Sequence, residues 1–392
     1  MITSVHISGF KSLADVSVEL GFVNVFIGAN GAGKSNVLEA IGVASAAISG
    51  QVDDESLGRR GVRLGLPALY KSSFRNLRTP SHIRLEVVGE FFGEIAEYKT
   101  NLYNPIERPT RRWKYKNELL KDSLASSGRS PKNTRGYDDT RSWVALKLAE
   151  TPAESTRAKL ARYLEGYAIY APDTPTLRGQ EVDPQNREPV GLAGGNLPRA
   201  VRDILRLVQD RMELSRFIHE TVDWVRDFGS ATTVDLPIAD GVPQMKTAIM
   251  FRDRYMGQWR NVLSGYDASE GVLYVLFCAA LALHSRSPKF FAIDNFDQAL
   301  NPRMARRLAS QFCTWMITKE MQCLLTTHNP LVLDGLPLLD DRVRLFAVDR
   351  DGMGRTQIQR ISVTEKMIMR SKQGTPLSQQ WVSGHIGAVP DV

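Results

Sequence analysis

The chain has 392 residues, 43% of them hydrophobic and 24% charged, with 50 Lys and Arg against 43 Asp and Glu and a formal net charge of +7. These values fit a globular protein large enough for two or three domains, or for one domain with insertions, and exclude a collagenous or generally disordered chain. The mild positive charge permits contact with nucleic acid without demonstrating it. The longest apolar run, residues 272–283, falls short of the ~20 residues that span a bilayer and reads as a core helix. Residues 1–5 carry no basic and apolar leader, so a cytoplasmic protein with no membrane partner is expected. Cys278, Cys313 and Cys323 lie in apolar surroundings without Cys-x-x-Cys or Cys/His pairing, the pattern of buried reduced thiols and not of disulfides or zinc.

In chain order, residues 4–8 and 15–20 alternate polar and apolar, as two half-buried strands joined through Gly9-Phe10-Lys11-Ser12 do. His6 beside them reads as a surface histidine without a role. Residues 22–27 form an apolar, β-branched and aromatic run that reads as a buried strand, and residues 36–47 read as a helix. Between them Gly28-Ala29-Asn30-Gly31-Ala32-Gly33-Lys34-Ser35 fits G-x-x-x-x-G-K-[ST] in its strand, turn and helix context. The backbone N–H groups of Asn30 through Gly33, with the helix N-terminus at Asn36, would then face an anion. Lys34 would reach the outer phosphates, and the Ser35 hydroxyl would ligate Mg²⁺. ATP or GTP binding is the expectation.

Residues 51–80 lack sustained periodicity, whereas 82–88, 94–101 and 111–118 read as strands of a meander in a β-rich lobe. Residues 121–136 are polar and basic and contain Ser, Gly and Pro, which predicts a flexible loop. Between Lys99 and Arg162 basic residues outnumber acidic ones roughly two to one. A solvated face and a DNA-binding patch both fit that bias, and the lack of interleaved aromatics favours the solvated face.

Residues 167–172 read as a strand ended by proline, and 173–195 as a long polar loop. Asn196 is a good N-cap and Pro198 is tolerated in a first turn, while Leu197, Val201, Leu205, Val208 and Met212 form one apolar stripe. Continued through Ile218, Val222 and Val225, the stripe predicts a helix of ~30 residues and ~45 Å, suited to core or dimer packing. Residues 246–253 return to a strand pattern. Phe290-Phe291-Ala292-Ile293-Asp294 is an apolar strand ending in an acid, the Walker B pattern, whose carboxylate would hold Mg²⁺. Residues 323–328 are a further apolar strand, ending in His328, which suits a γ-phosphate sensor.

The order of these motifs resembles the ABC-type ATPase heads of the SMC, RecF and OLD (overcoming lysogenization defect) group over nearly the whole chain. Residues 7–13, Ile-Ser-Gly-Phe-Lys-Ser-Leu, look like that group's entry strand, and Gly28 to Asn36 like its Walker A. Ala268-Ser269-Glu270-Gly271 resembles the ABC signature, Ala299-Leu300-Asn301-Pro302 the D-loop, and Thr326-Thr327-His328-Asn329-Pro330 the histidine switch. No Q-loop is assigned. The implied fold is α/β, a P-loop ATPase head with a mixed central sheet, an N-terminal β-rich lobe and a helical insertion. Its implied division is residues 1–98 with Walker A, 99–258 as the β and helical insertion, and 259–392 with the remaining motifs.

The resemblance also implies an ATP-sandwich homodimer, in which Ser269 and Gly271 of one subunit close on the γ-phosphate held by Lys34 and Ser35 of the other. A helix N-terminus at Ser269 offers N–H dipoles and a hydroxyl to an anion, so ATP would hold the dimer where ADP would not. A plain helix cap is the alternative for Ser269. Where the family follows the Walker B aspartate with a glutamate, this chain has Asn295. An amide takes no proton at neutral pH, so hydrolysis is expected to be slow unless Asp297 substitutes. The implied site is thus Asp294, Asn295 and His328 for chemistry, with Ser35 and Asp294 on the metal.

Asp349 and Asp351 invite comparison with the D-x-D of TOPRIM nucleases, but Arg350-Asp351-Gly352 between strand-like runs reads as a hairpin turn. Residues 377–384 resemble the ending of stand-alone OLD-related ATPases, docked on the head. Two functions follow from the resemblance. The first is an ATP-dimerised switch that controls a separately encoded nuclease or toxin in anti-phage defence of the Septu or PARIS kind. The second is a RecF- or SMC-like DNA-repair clamp. An ABC transporter ATPase is disfavoured by the entry strand, the altered signature and the long insertion.

Overall fold

A computed structural model describes the chain except residues 76, 106–109, 131–135, 244, 363, 365–366, 368, 370–373 and 384–392. Strands β1 (Ile2–Phe10) and β2 (Leu13–Glu19) form an antiparallel pair whose alternate residues are buried. Strand β3 (Val23–Ile27) is buried at every position, as a strand covered on both faces must be. The glycine loop then leads into helix α1 (Lys34–Ile48), followed by the short α2 (Asp54–Gly58). Strands β4 (Ile83–Phe91), β5 (Glu94–Tyr103), β6 (Lys114–Lys121) and β7 (Ser126–Arg129) form the expected meander. They extend the first hairpin into a six-stranded antiparallel sheet of order β2-β1-β4-β5-β6-β7.

Helices α3 (Trp143–Leu148) and α4 (Thr156–Glu165) lead to β8 (Ile169–Tyr170), the short α5 (Thr174–Leu177), α6 (Leu197–Leu205) and α7 (Val208–Thr221). Strands β9 (Val225–Thr232), β10 (Thr247–Asp253) and β11 (Val262–Ser264) make a separate antiparallel sheet. Helix α8 (Glu270–Leu283) is buried from Gly271 onward, which fits its unbroken apolar sequence. After it come β12 (Phe290–Ile293), α9 (Pro302–Thr318), β13 (Gln322–Thr327), β14 (Val343–Arg350), β15 (Thr356–Ile361) and α10 (Leu377–Val382).

The central sheet has the order β15-β14-β3-β13-β12-β8, parallel throughout except for β15. Helix α1 lies between the two six-stranded sheets, and its Val37 and Ile41 share one core with Val5 and Ile7 of the outer sheet and Phe346 of the central one. Helices α8 and α9 help build a second core with β3, β12 and β13. All three cysteines are buried and free, and burial pushes their thiol pKa values up.

Two expected elements differ. The single long helix is broken at Leu207, whose extended backbone (φ −97, ψ 119) separates α6 from α7. Helix α7 then turns Leu214, Phe217 and Ile218 inward, with Phe217 edge-on to Trp315 of α9 at 4.8 Å. Val208 and Met212 are left 75% and 68% exposed, and Val225 opens a strand. The flexible loop expected over 121–136 is in part the β6–β7 hairpin, because residues 126–129 find free edge groups on β6; residues 131–135 lie outside the described residues. Strand β5 runs through residue 98, and β10 pairs with β11 across residue 258, so neither expected division falls at a break in a sheet.

Candidate functional site

Because β3, β12 and β13 are parallel neighbours, the glycine loop, Asp294 and His328 all emerge at the same C-terminal edge of the sheet, where open α/β sheets bind ligands. The loop's glycines serve different ends. A Cβ at Gly28 would lie 2.1 Å from the Val348 carbonyl, and one at Gly33 (φ 112) would lie 2.1 Å from Thr356 Oγ1, so both let the loop press against β14 and β15. Gly31 (φ 78) has no atom within 4 Å of such a Cβ and leaves the outer face of the loop open.

The Lys34 ammonium donates to the carbonyls of Gly28 (2.7 Å) and Ala29 (2.9 Å), folded over the mouth of its own loop. Burial lowers its pKa, while the nearby carboxylates of Asp294 and Asp297 act the other way. Ser35 Oγ donates to both oxygens of Asp294 at 3.0 Å, and Thr326 Oγ1 donates to Asp294 Oδ1. Ser35 and Asp294 are thus hard oxygen donors meeting at one point, a set that suits Mg²⁺, which takes few protein ligands and keeps waters and phosphate oxygens. Asn36 is turned elsewhere. Its side chain donates to Ser12 Oγ (2.7 Å), which in turn meets Thr356 Oγ1 (2.6 Å), and its N–H bonds to Gly33. Asn30 is exposed on the loop, while Ala32 is buried with its N–H on the Ala29 carbonyl.

The signature residues stand on a different element. Ser269 caps α8 in extended conformation (φ −63, ψ 144) but its hydroxyl makes no capping hydrogen bond, and the residue is exposed. A Cβ at Gly271 would lie 2.8 Å from the Ala299 carbonyl, so glycine is needed where the D-loop crosses the first turn of α8. Asn301 caps α9 by accepting from Met304 N at 3.0 Å. Among the described residues no hydrogen bond or ion pair joins Ser269 or Gly271 to Lys34 or Ser35 within the chain.

Asn295 sits at φ 57, with its N–H on Thr326 Oγ1 (2.8 Å) and its carbonyl accepting from the Tyr274 hydroxyl (2.9 Å). Its side chain is exposed, whereas the carboxylate of Asp297 is buried. Asp297 Oδ2 lies 3.7 Å from His328 Nε2, and Oδ1 has no hydrogen-bond partner among the described residues. A buried carboxylate oxygen without a partner is costly and calls for a reason. Sequence reasoning also missed Glu39, buried on α1 and held between Lys11 and Arg63, the latter at 2.6 Å. The entry-strand lysine was the available signal.

Other expectations are settled by partners. Asp351 accepts from the N–H groups of Met353 and Arg355 at 2.9 Å, closing the expected β14–β15 hairpin. Helix α10 docks on the head through Leu377, Trp381 and a Ser378 hydroxyl bond to Asp334 (2.7 Å); residue 384 lies outside the described residues. In the basic stretch Lys99, Lys114, Lys121 and Arg157 are ion-paired, and the buried Arg129 donates to the Asp138 and Arg141 carbonyls at 3.1 Å. Those partners support the solvated face. No helix among the described residues is long and apolar enough to cross a membrane.

Solved structures share this fold. An SMC head bound to the C-terminal winged-helix domain of ScpA superposes with a TM-score of 0.54 at 14% identity, over 94% of this chain and 99% of that one. The SMC head with an extended coiled coil from Pyrococcus furiosus, bound to the C-terminal domain of ScpA, gives 0.53 at 12% identity, over 95% and 99%. No curated protein matches the chain. The family model described as "AAA domain, putative AbiEii toxin, Type IV TA system" matches residues 23–334. That match takes in every nucleotide motif from the glycine loop to His328, and the chain therefore belongs to this family, as an ABC-type P-loop ATPase with the fold of an SMC head.

Proposed function

We propose that the chain is an ATP-dependent switch that dimerises around two nucleotides and controls a separately encoded nuclease or toxin, in the manner of OLD-like ATPases of Septu or PARIS defence. The observation that carries this reading is the split site. Lys34, Ser35 and Asp294 converge at one sheet edge, while Ser269 presents an unused hydroxyl at the exposed start of α8. Each chain then has one half of a γ-phosphate site, and a second copy supplies the other. The family's description, an AAA domain and putative toxin of a Type IV toxin–antitoxin system, is compatible with the effector role.

In this reading Ser35 and Asp294 hold Mg²⁺, which supplies charge neutralisation to the phosphates when bound. Lys34 exchanges its two loop carbonyls for the outer phosphate oxygens, a stronger charge-assisted bond. Asn295 orients water without accepting its proton, so ATP acts as a ligand that selects the dimer more than as a fuel. The test is co-purification with the product of the adjacent gene, with ATP and with ADP. An ATP-dependent complex supports the switch. A chain that ignores its neighbour and closes on duplex DNA in ATP instead supports the clamp.

A further inference from the structure

The hairpin that joins β10 to β11, residues 254–261, is well tied at its base. Asp253 Oδ1 accepts from the N–H groups of Tyr255 (2.7 Å) and Met256 (3.0 Å), and Asp253 N donates to the Asn261 carbonyl (2.8 Å). Arg254 is pinned to the start of β9, its N–H on the Trp224 carbonyl (2.9 Å) and its Nη2 on that of Val225 (3.1 Å). A turn from Arg260 N to the Gly257 carbonyl (2.8 Å) closes the tip. This ordered tip holds Trp259 95% exposed and Tyr255 72% exposed.

Three arginines, Arg252, Arg254 and Arg260, flank these rings, and none has a carboxylate partner among the described residues. The one acid in the segment, Asp253, is turned to its own loop amides. Arg286 and Arg307, by contrast, are paired with Glu188 and Glu220.

We propose that this hairpin tip binds single-stranded nucleic acid, with bases stacked on Trp259 and Tyr255 and phosphates held by Arg252 and Arg260. Stacking is tolerant of sequence because every base has a π-face, and guanidinium groups add cation–π and phosphate contacts. A protein partner fits less well, since a stable interface takes about 800 Å² from each side and an eight-residue tip offers much less. The proposal does not rest on the switch reading.

The experiment titrates the full chain into fluorescein-labelled oligothymidylate and oligouridylate of about 20 nucleotides at about 50 and about 200 mM salt. Binding is expected to weaken with salt, and Trp259→Ala to weaken it about tenfold or more. The Arg252→Gln, Arg260→Gln double variant should flatten the salt dependence, by a log–log slope of about 1.4 for two phosphates on a single strand. Quenching of tryptophan emission on binding should disappear in Trp259→Phe, which keeps a ring for stacking. ATP binding and melting temperature, unchanged in each variant, serve as the folding control. Preference for one oligonucleotide would identify the source as DNA or RNA. No binding at low salt, binding indifferent to Trp259→Ala, or a Trp259→Ala effect on self-association alone would overturn the proposal.

Discussion

Ser35 donates its hydroxyl to both carboxylate oxygens of Asp294 at 3.0 Å, closing a span of 259 residues between the start of α1 and the end of β12. Lys34 beside it is desolvated and satisfied only by loop carbonyls. Lys34→Ala should therefore leave the melting temperature unchanged or raise it, because the removed ammonium is one that folding strips of water. ATP affinity should fall at least about tenfold, the worth of a hydrogen bond to a charged group. Scanning calorimetry reads the first and titration calorimetry the second, and unchanged ATP affinity would remove Lys34 from the site.

Ser269 and Gly271 separate a helix cap from a ligand contact. Ser269→Ala loses no capping bond and should cost no measurable stability, while weakening ATP-dependent dimerisation. Gly271→Ala drives a methyl to 2.8 Å from the Ala299 carbonyl and should destabilise the chain by about 1–3 kcal/mol. Urea melts together with dimer assays distinguish them, and a Ser269→Ala chain that is destabilised but dimerises normally would restore the cap reading.

Glu118 gives a pH prediction in the outer sheet. Its buried carboxylate accepts from Tyr98 Oη (2.9 Å), Ser142 Oγ (2.6 Å) and the N–H groups of Trp143 (2.9 Å) and Val144 (3.1 Å). Burial still raises its pKa above 4.5, outweighing those four bonds. A folded pKa above the unfolded one means a contribution that is fully present below the unfolded pKa and lost as pH rises through the folded pKa. Glu118→Gln can keep every contact, since both hydroxyls can reverse to accept, and should be neutral or stabilising near pH 7. Glu118→Ala strands these donors and should cost about 2–4 kcal/mol. Equal loss in both variants would contradict this assignment.

What the sequence made legible was local chemistry. The glycine loop, the Walker B strand and the switch strand each combine residue type and spacing within a few positions. The polar strand β7, Ser-Ser-Gly-Arg, has no apolar alternation and is defined only by the edge of β6. The break at Leu207 comes from α7 packing on Trp315 far along the chain, and the helical stripe concealed β9. The burial of Asp297 was not legible, because the left-handed turn at Asn295, which accompanies an exposed amide and a buried acid two residues on, is set by Thr326 and Tyr274.

That pair decides turnover. With an amide at 295, native phosphate release should be slow, and Asn295→Glu should raise it by the about 10²–10⁴-fold that general-base assistance gives. Asp297→Asn should then leave the native rate nearly unchanged. A brisk native rate that Asp297→Asn abolishes would assign water activation to the buried carboxylate beside His328 and make the chain a conventional ATPase.

The central claim is that ATP joins two copies through half-sites that one chain cannot complete. Sedimentation of the native chain with Mg²⁺ and ATP, and again with ADP, tests it most directly. A mass of two chains in ATP and one in ADP is the expected result, with Lys34→Ala and Ser269→Ala remaining monomeric in both. The same mass in ATP and ADP, or a dimer that survives Lys34→Ala, would contradict the account.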